Sequence, residues 1–367
     1  MMDREVTIDW SENAWAGETV ILSGDIGGTN ANLAFVMKGD EGFRILLEVS
    51  ASSLDIDAIG PLVVRGLEEL NVRYPDLCPE LGCISGAGPV NGNCCSMSNL
   101  PWGVDGDALT REFGFPIRAI NDFEAISFGV PLLDLDDPDQ VTVMPHTNGN
   151  RPEPEGDTRL IVGAGTGLGV SIMLGDSEAA RSVPSEGGHA SFSSFDRETQ
   201  EILDQLRKEV GWVVENEDLL SGKGIVALLR YYMESHGSQI DETLEEILNA
   251  SASDQPRLVS RYASNHPVCR GVIRLFVKIY GRVSADFASI VLPKGGLFLA
   301  GGIVGKNEEF FLDGMKQALM NAASKCANDL PATIYYAFKQ SEIEQDGTSS
   351  TGWATFLEAV LSSGFSI

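Results

Sequence analysis

Positive charge is scarce in this sequence: 26 Lys and Arg stand against 53 Asp and Glu, a formal net charge of −27 at pH 7. A chain so negative is a poor match for nucleic acid or an anionic membrane surface, since both are gripped by Lys and Arg. The plainest consequence of the charge is solubility. Histidine is scarcer still, four in 367 residues, and the six cysteines (Cys78, Cys83, Cys94, Cys95, Cys269, Cys326) form no C-x-x-C pair. A Cys/His zinc site therefore has no framework. Cys94 and Cys95 are adjacent, and neighbouring Cα atoms lie too close for an unstrained disulfide. No apolar run approaches the roughly 18 residues of a membrane span. The start, MMDRE, lacks the basic and apolar regions of a signal peptide. The chain reads as soluble, reduced and cytoplasmic.

What is present fits a globular protein. Hydrophobic residues make up 43% of the chain, with 40 glycines and 16 prolines, too apolar for disorder. The length suits about two domains. Residues 1–18 are polar, acidic and without clear periodicity, and read as a loosely attached extension. Val20-Ile21-Leu22 then runs into glycines and out through Leu33-Ala34-Phe35-Val36-Met37, a strand, a tight turn and a returning strand. Residues 55–74 carry apolar side chains at near-helical spacing, residues 83–85 and 117–120 read as strands, and a helix is expected from about Ala125. Residues 146–157 form a Pro/Gly/Asn-rich surface loop.

The opening layout then recurs. Leu160-Ile161-Val162 leads into Gly163-Ala164-Gly165-Thr166-Gly167-Leu168-Gly169 and out through Val170 to Leu174, about 140 residues after the first unit. Two such units indicate two related domains. Further on, Val272, Leu275, Phe276, Ile279, Val283, Phe287 and Ile290 fall on one helical face. Residues 297–300 give a strand ending at Gly301-Gly302, residues 333–336 a last strand and 351–361 a last helix. The alternation indicates an α/β fold.

Each glycine turn can carry chemistry. Glycines let the main chain approach a ligand, and successive N–H groups form a concavity for phosphate. Asp25, at the end of the first strand, can orient Mg²⁺ directly or through water; read alone, it is equally a solvated turn residue. The second turn adds the Thr166 hydroxyl and matches neither the G-x-G-x-x-G nor the Walker A pattern. Gly301-Gly302 stands where a nucleotide can approach backbone without a side-chain clash, and alone is an ordinary strand-to-helix turn.

Together the three segments resemble the phosphate-1, phosphate-2 and adenosine motifs of the actin/hexokinase superfamily of sugar kinases, and most closely the bacterial-type glucokinase family. They are Gly24-Asp25-Ile26-Gly27-Gly28-Thr29-Asn30-Ala31, residues 163–170 (GAGTGLGV) and Ala300-Gly301-Gly302-Ile303-Val304. The resemblance runs from about Val20 to the C-terminus. It implies two RNase-H-like α/β domains flanking a cleft: a small one of residues 19–133 with 346–367, and a large one of 134–345. It also implies ATP on Gly24, Asp25, Gly27, Gly28, Thr29, Gly165, Thr166, Gly301 and Gly302, with Mg²⁺ near Asp25.

The same resemblance marks a sugar site. Ser98-Asn99-Leu100-Pro101-Trp102 is similar to the segment that places an asparagine on the hexose, and Ile120-Asn121-Asp122 to the catalytic stretch, with Asn121 on the sugar and Asp122 as general base. Glu186-Gly187-Gly188-His189 matches the family motif whose glutamate and histidine hold sugar hydroxyls, and Glu217 falls where a further glutamate does so. Such residues suit a neutral polyol, which offers only hydroxyls, and a carboxylate can take the proton of the attacking one. Read singly, Asp122 can be a helix N-cap, His189 a core histidine and Glu217 a surface carboxylate. Two departures stand out: Asn32 replaces a basic residue common in the family, and the cysteine-rich zinc motif of the related ROK family is absent.

The reaction implied is transfer of the ATP γ-phosphate to the glucose 6-hydroxyl, giving ADP and glucose 6-phosphate for glycolysis. Alternatives are a kinase for another hexose, or a non-catalytic sugar sensor; the latter is disfavoured by Asp122 and by the lack of room for a DNA-binding domain in 18 residues. Glucose and ATP are the expected partners, without nucleic acid or membrane. The oligomeric state stays open, a homodimer among the candidates.

Overall fold

The computed structural model describes residues 6–11, 19–39, 42–75, 77–138, 140–144, 151, 153–175, 180–183, 185–312, 314 and 334–338. They form an α/β fold of two compact units, the first within Met1–Leu133 and Asp176–Arg181 and the second within Asp134–Gly175 and Ser182–Gln340.

The first unit runs β1 (Thr7–Trp10), β2 (Thr19–Ile26), β3 (Asn30–Gly39), β4 (Gly42–Ser52), α1 (Gly60–Arg73), β5 (Pro79–Gly86), β6 (Val90–Asn91), β7 (Cys94–Ser96), β8 (Gly103–Asp105), α2 (Gly106–Phe113), β9 (Ile117–Asn121) and α3 (Asp122–Gly129). Its main sheet has the order β1-β4-β3-β2-β5-β9. Unbroken apolar runs such as Val20-Ile21-Leu22 make strands covered on both faces, and all three residues are buried. The β2–β3 pair is antiparallel, whereas β2, β5 and β9 run parallel. Helix α1 covers the sheet with Leu62, Val63 and Leu70. At Gly66 a Cβ would lie 2.2 Å from Phe35 Cε2, so only glycine lets the helix come this close.

Two expectations change here. Thr7–Trp10 is no loose extension: it pairs antiparallel with β4, from Thr7 opposite Ser50 to Trp10 opposite Leu47. Ile8 and Trp10 alternate toward the core, and the Arg73 guanidinium lies 4.7 Å from the Trp10 ring centroid. The helix expected over 55–74 begins at Gly60, with Pro61 in its first turn, where a missing N–H costs nothing. A small sheet, β6-β7-β8, is an addition. Its signal was Gly92-Asn93, a two-residue hairpin loop between Asn91 and Cys94, with Gly92 at φ 63°.

The second unit runs β10 (Val141–Val143), β11 (Arg159–Ala164), β12 (Leu168–Leu174), β13 (Arg181–Val183), α4 (Arg197–Val210), α5 (Gly222–Ser235), α6 (Glu242–Asn249), α7 (Gln255–Tyr262), α8 (Pro267–Val291), β14 (Gly296–Ala300), α9 (Gly302–Lys306) and β15 (Ile334–Phe338). Its sheet order is β10-β15-β14-β11-β12-β13. Strands β11 and β12 are antiparallel, and β11, β14 and β15 parallel. Helix α8 buries Val272, Leu275, Phe276, Ile279 and Val283 as its periodicity predicts, but Ile290 in its last turn is 80% exposed. Periodicity tells which residues share a face, not how far the covering surface extends. The buried Tyr280 hydroxyl donates to the Val162 carbonyl at 2.8 Å and pins α8 onto β11. The helix expected at 351–361, and the return of 346–367 to the small domain, lie outside the described residues. Among the described residues no helix is long and apolar enough to cross a membrane.

Candidate active site

In parallel α/β sheets ligands collect at the carboxyl ends of the strands, where the loops open. In the first unit Asp25 is the penultimate residue of β2, Ser85 lies opposite it on β5, and Ile120 on β9 is opposite Ser85. Asn121 and Asp122 follow at once. The buried Ser85 hydroxyl lies 2.9 Å from Asp25 Oδ1 and 3.1 Å from the Gly24 carbonyl, so its one hydrogen is shared between two acceptors. Burial raises the Asp25 carboxyl above its ordinary range, against the lowering effect of Ser85.

Asp122 opens helix α3, but it is not the cap. Asn121 is: its Oδ1 accepts from the N–H groups of Phe123 and Glu124 at 2.8 and 3.2 Å, and its Nδ2 donates to the Gly88 carbonyl at 2.9 Å. The N-cap reading of Asp122 therefore belongs to its neighbour, and the helix starts at 122 rather than near 125. Burial pushes the Asp122 carboxyl up to about 6, the hydrogen bond from the Phe123 N–H opposes the rise, and the nearby Asp25 charge adds to it. A carboxyl near 6 is a better proton acceptor than an ordinary aspartate and is still mostly ionised at neutral pH.

The turn between β2 and β3 is closed by the Gly27 N–H donating to the Asn30 carbonyl at 2.9 Å and braced by the Ser53 hydroxyl on the Gly27 carbonyl at 2.8 Å. Exposed Asn99 stands over it, since a Cβ built on Gly28 would lie 3.6 Å from Asn99 Cβ. Gly24 differs in kind. It is buried, and a Cβ there would meet Leu33 Cδ2 at 2.9 Å, so its glycine serves the core. Asn32 lies opposite Asp25 across the hairpin.

The second unit answers with backbone rather than charge. Gly165, with open space where a Cβ would be, and exposed Thr166 form the β11–β12 turn, closed by the Gly165 N–H on the Gly167 carbonyl at 2.9 Å. Glu217 reaches this turn: its Oε2 accepts from the Leu168 N–H at 2.8 Å, and a Cβ on Gly167 would lie 2.4 Å from that oxygen. Gly301, at φ 91°, presses on Ala164, whose carbonyl oxygen would lie 2.3 Å from an added Cβ. Gly301 is therefore a structural glycine, whereas Gly302 beside it faces open space.

Glu186 and His189 flank the short turn Gly187–His189, laid on β12 so closely that a Cβ on Gly188 would meet the Leu168 carbonyl oxygen at 2.1 Å. His189 is more than half exposed, which removes the core-histidine reading. Its Nδ1 lies 2.7 Å from Glu215 Oε2 and its Nε2 3.9 Å from Glu186 Oε2. The bond to Glu215, with Glu217 and Glu186 adding, raises the imidazole above its ordinary value.

Each unit thus gathers its own share of the expected site: Asp25, residues 27–29, Asn99, Asn121 and Asp122 in the first, and Gly165, Thr166, Glu186, His189, Glu217, Gly301 and Gly302 in the second. The sequence reading missed Ser85 and Glu215. Both act across strand or loop pairings that no local motif marks. Among the described residues no group of three or more His, Cys, Asp or Glu could hold a metal by itself. A separate hollow of about 450 Å³, lined by Tyr232, His236, Arg270, Arg274 and Lys278 among others, contains none of these residues. Its Lys278 is already paired with Asp196 and Glu198.

Comparison with known proteins agrees. The glucokinase family model matches residues 22–336. The glucokinase of Cronobacter sakazakii is 35% identical over 296 residues, 79% of this chain and 83% of that protein. Among solved structures, a glucokinase from an Antarctic psychrotroph superposes with a TM-score of 0.72 at 23% identity, covering 94% of this chain and 98% of that one. A ROK family glucokinase from Streptomyces griseus, solved with glucose and AMPPNP, gives a TM-score of 0.58 at 19% identity, covering 93% and 97%. At those identities the two structures speak for the fold. With strand-end carboxylates and open glycine turns in place, the match over most of its length assigns the chain to the glucokinase family of ATP-dependent hexose kinases.

Proposed function

We propose that the chain transfers the γ-phosphoryl group of ATP to the 6-hydroxyl of glucose, with Asp122 as the general base. The supporting observation is the place of Asp122: first residue of α3, at the carboxyl end of β9, beside Asp25, with its carboxyl near 6. In the transfer, the O6–Pγ bond forms as the bond to the ADP oxygen breaks, and the O6 proton passes to Asp122. Asn99, Asn121, Glu186, His189 and Glu217 hold the sugar hydroxyls. Gly27, Gly28, Thr29, Gly165, Thr166 and Gly302 offer main-chain approach and N–H groups to ATP.

Asp25 suits Mg²⁺. A single strand-end carboxylate, with one oxygen held by Ser85, matches an ion that takes one or two carboxylates and keeps its waters and phosphate oxygens. When bound, Mg²⁺ would offset the negative charge of the transferring phosphates. A cytoplasmic, glycolytic setting completes the proposal.

The test is Asp122→Asn in a coupled assay for ADP release. It should bind glucose normally and lose about 10²–10⁴-fold in kcat. A folded variant that keeps most of its kcat would overturn Asp122 as base.

A further inference from the structure

The second unit holds a side-chain pair that the family motifs do not include. Residues 189–192 and 214–216 run alongside each other, with the Phe192 N–H on the Val214 carbonyl at 2.7 Å and the Asn216 N–H on the Ala190 carbonyl at 2.9 Å. This brings Glu215 to His189, Oε2 to Nδ1, at 2.7 Å. Glu215 is itself fixed. It is the N-cap of the short turn Asn216–Asp218: its own N–H donates to Asp218 Oδ2 at 2.9 Å, and its carbonyl accepts from the Asp218 N–H at 3.1 Å. The main chain that carries Glu215 is thus held, and its carboxylate reaches the imidazole from a fixed stem.

We propose that Glu215 is a positioning residue for His189 and, through it, a determinant of sugar recognition: it holds Nδ1–H and thereby fixes both the ring plane and Nε2 as the atom presented to a sugar oxygen. The proposal rests on the reading of His189 as a sugar ligand. An ionised carboxylate only accepts, so Nδ1 must carry the hydrogen and a neutral His189 is held in one tautomer. The charged groups facing the ring are Glu215, Glu217 and Glu186, all acidic. They favour the imidazolium, in which Nε2 also bears a hydrogen and becomes a donor. A sugar hydroxyl at Nε2 can donate to the neutral ring or accept from the imidazolium, and an analogue lacking that hydroxyl leaves Nε2 unanswered in either state.

The experiment compares Glu215→Ala, Glu215→Gln and His189→Ala in the full chain. The readouts are kcat and KM for glucose and for its 2-deoxy and 4-epimer analogues, with the His189 ring nitrogens followed by NMR without sugar. Glu215→Ala should raise KM for glucose about 5- to 30-fold with kcat within about twofold, and lower the His189 titration midpoint. Glu215→Gln, whose amide oxygen still accepts from Nδ1–H, should restore KM to within about threefold. KM unchanged in Glu215→Ala, or equal losses in both Glu215 variants, would overturn the positioning role while His189→Ala still raised KM. KM unchanged in His189→Ala would instead remove His189 from the sugar site, and this inference with it.

Discussion

The two units share a plan and use it differently. In each, an antiparallel hairpin, β2–β3 or β11–β12, has its first strand continued by parallel neighbours, β5 and β9 or β14 and β15. The first unit places half-buried carboxylates at its strand ends, Asp25 and Asp122, both raised by desolvation. The second places no acid on the strand before its turn; it has closely approached glycines, Gly167 against the Glu217 carboxylate and Gly301 against the Ala164 backbone, where no side chain fits. One sheet layout thus offers proton chemistry in one unit and bare backbone in the other. The difference lies in the few residues after each strand.

The sharpest break in the comparison is expected in the second unit. Gly301→Ala combines φ 91° with a 2.3 Å approach to the Ala164 carbonyl oxygen and should destabilise by about 3 kcal/mol, read as a lowered urea midpoint. Gly302→Ala, in open space, should leave the midpoint nearly unchanged and raise KM for ATP. Equal stability losses in both would show that the two glycines do not differ as described.

In the first unit the expected sign is reversed. Asp122 has its carboxyl raised from 3.8 to about 6 in the folded chain. Its contribution to stability is fully present below the unfolded value and is lost as pH rises through 6. Asp122→Asn should therefore be more stable than the parent at pH 7–8, by about 1–2 kcal/mol after solvent screening, with the gain vanishing below about pH 4. Parallel urea titrations at pH 4 and 8 read this; a gain of equal size at both would show that the ionised carboxylate is not its source. The same group should set the acid limb of activity: kcat/KM for glucose should fall about tenfold per pH unit below 6.

An effect no larger is expected at Ser85. Ser85→Ala removes the donor to Asp25 Oδ1 and should cost about 1–2 kcal/mol in kcat/KM for ATP, roughly 5- to 30-fold, with glucose affinity kept. Calorimetry of nucleotide binding with and without Mg²⁺ would locate the loss. A loss confined to glucose would place Ser85 with the sugar instead.

Much of this was written locally. The apolar runs beside residues 24–31, 163–170 and 300–304 are the strands β2, β3, β11, β12 and β14, because a strand buried on both faces must be apolar throughout. Thr7–Trp10 was legible only through the short alternation of Ile8 and Trp10, too brief to stand out in a polar segment. The sequence offered Asp122 as the cap; either side chain can accept at a helix start, and the strand register gave the place to Asn121 by carrying β9 through it.

The sequence by itself determined the α/β class, the repeated hairpin, the three glycine turns and the family, because strand burial and glycine turns are set by residues adjacent in the chain. Only the tertiary structure decided which glycines serve packing, at Gly24, Gly66 and Gly301, and which face open space, at Gly165 and Gly302. It alone brought Ser85 to Asp25 across 60 residues and Glu215 to His189 across 26. A hydrogen bond between distant residues leaves no local pattern; it exists once two backbones are registered, and registry is a property of the folded chain.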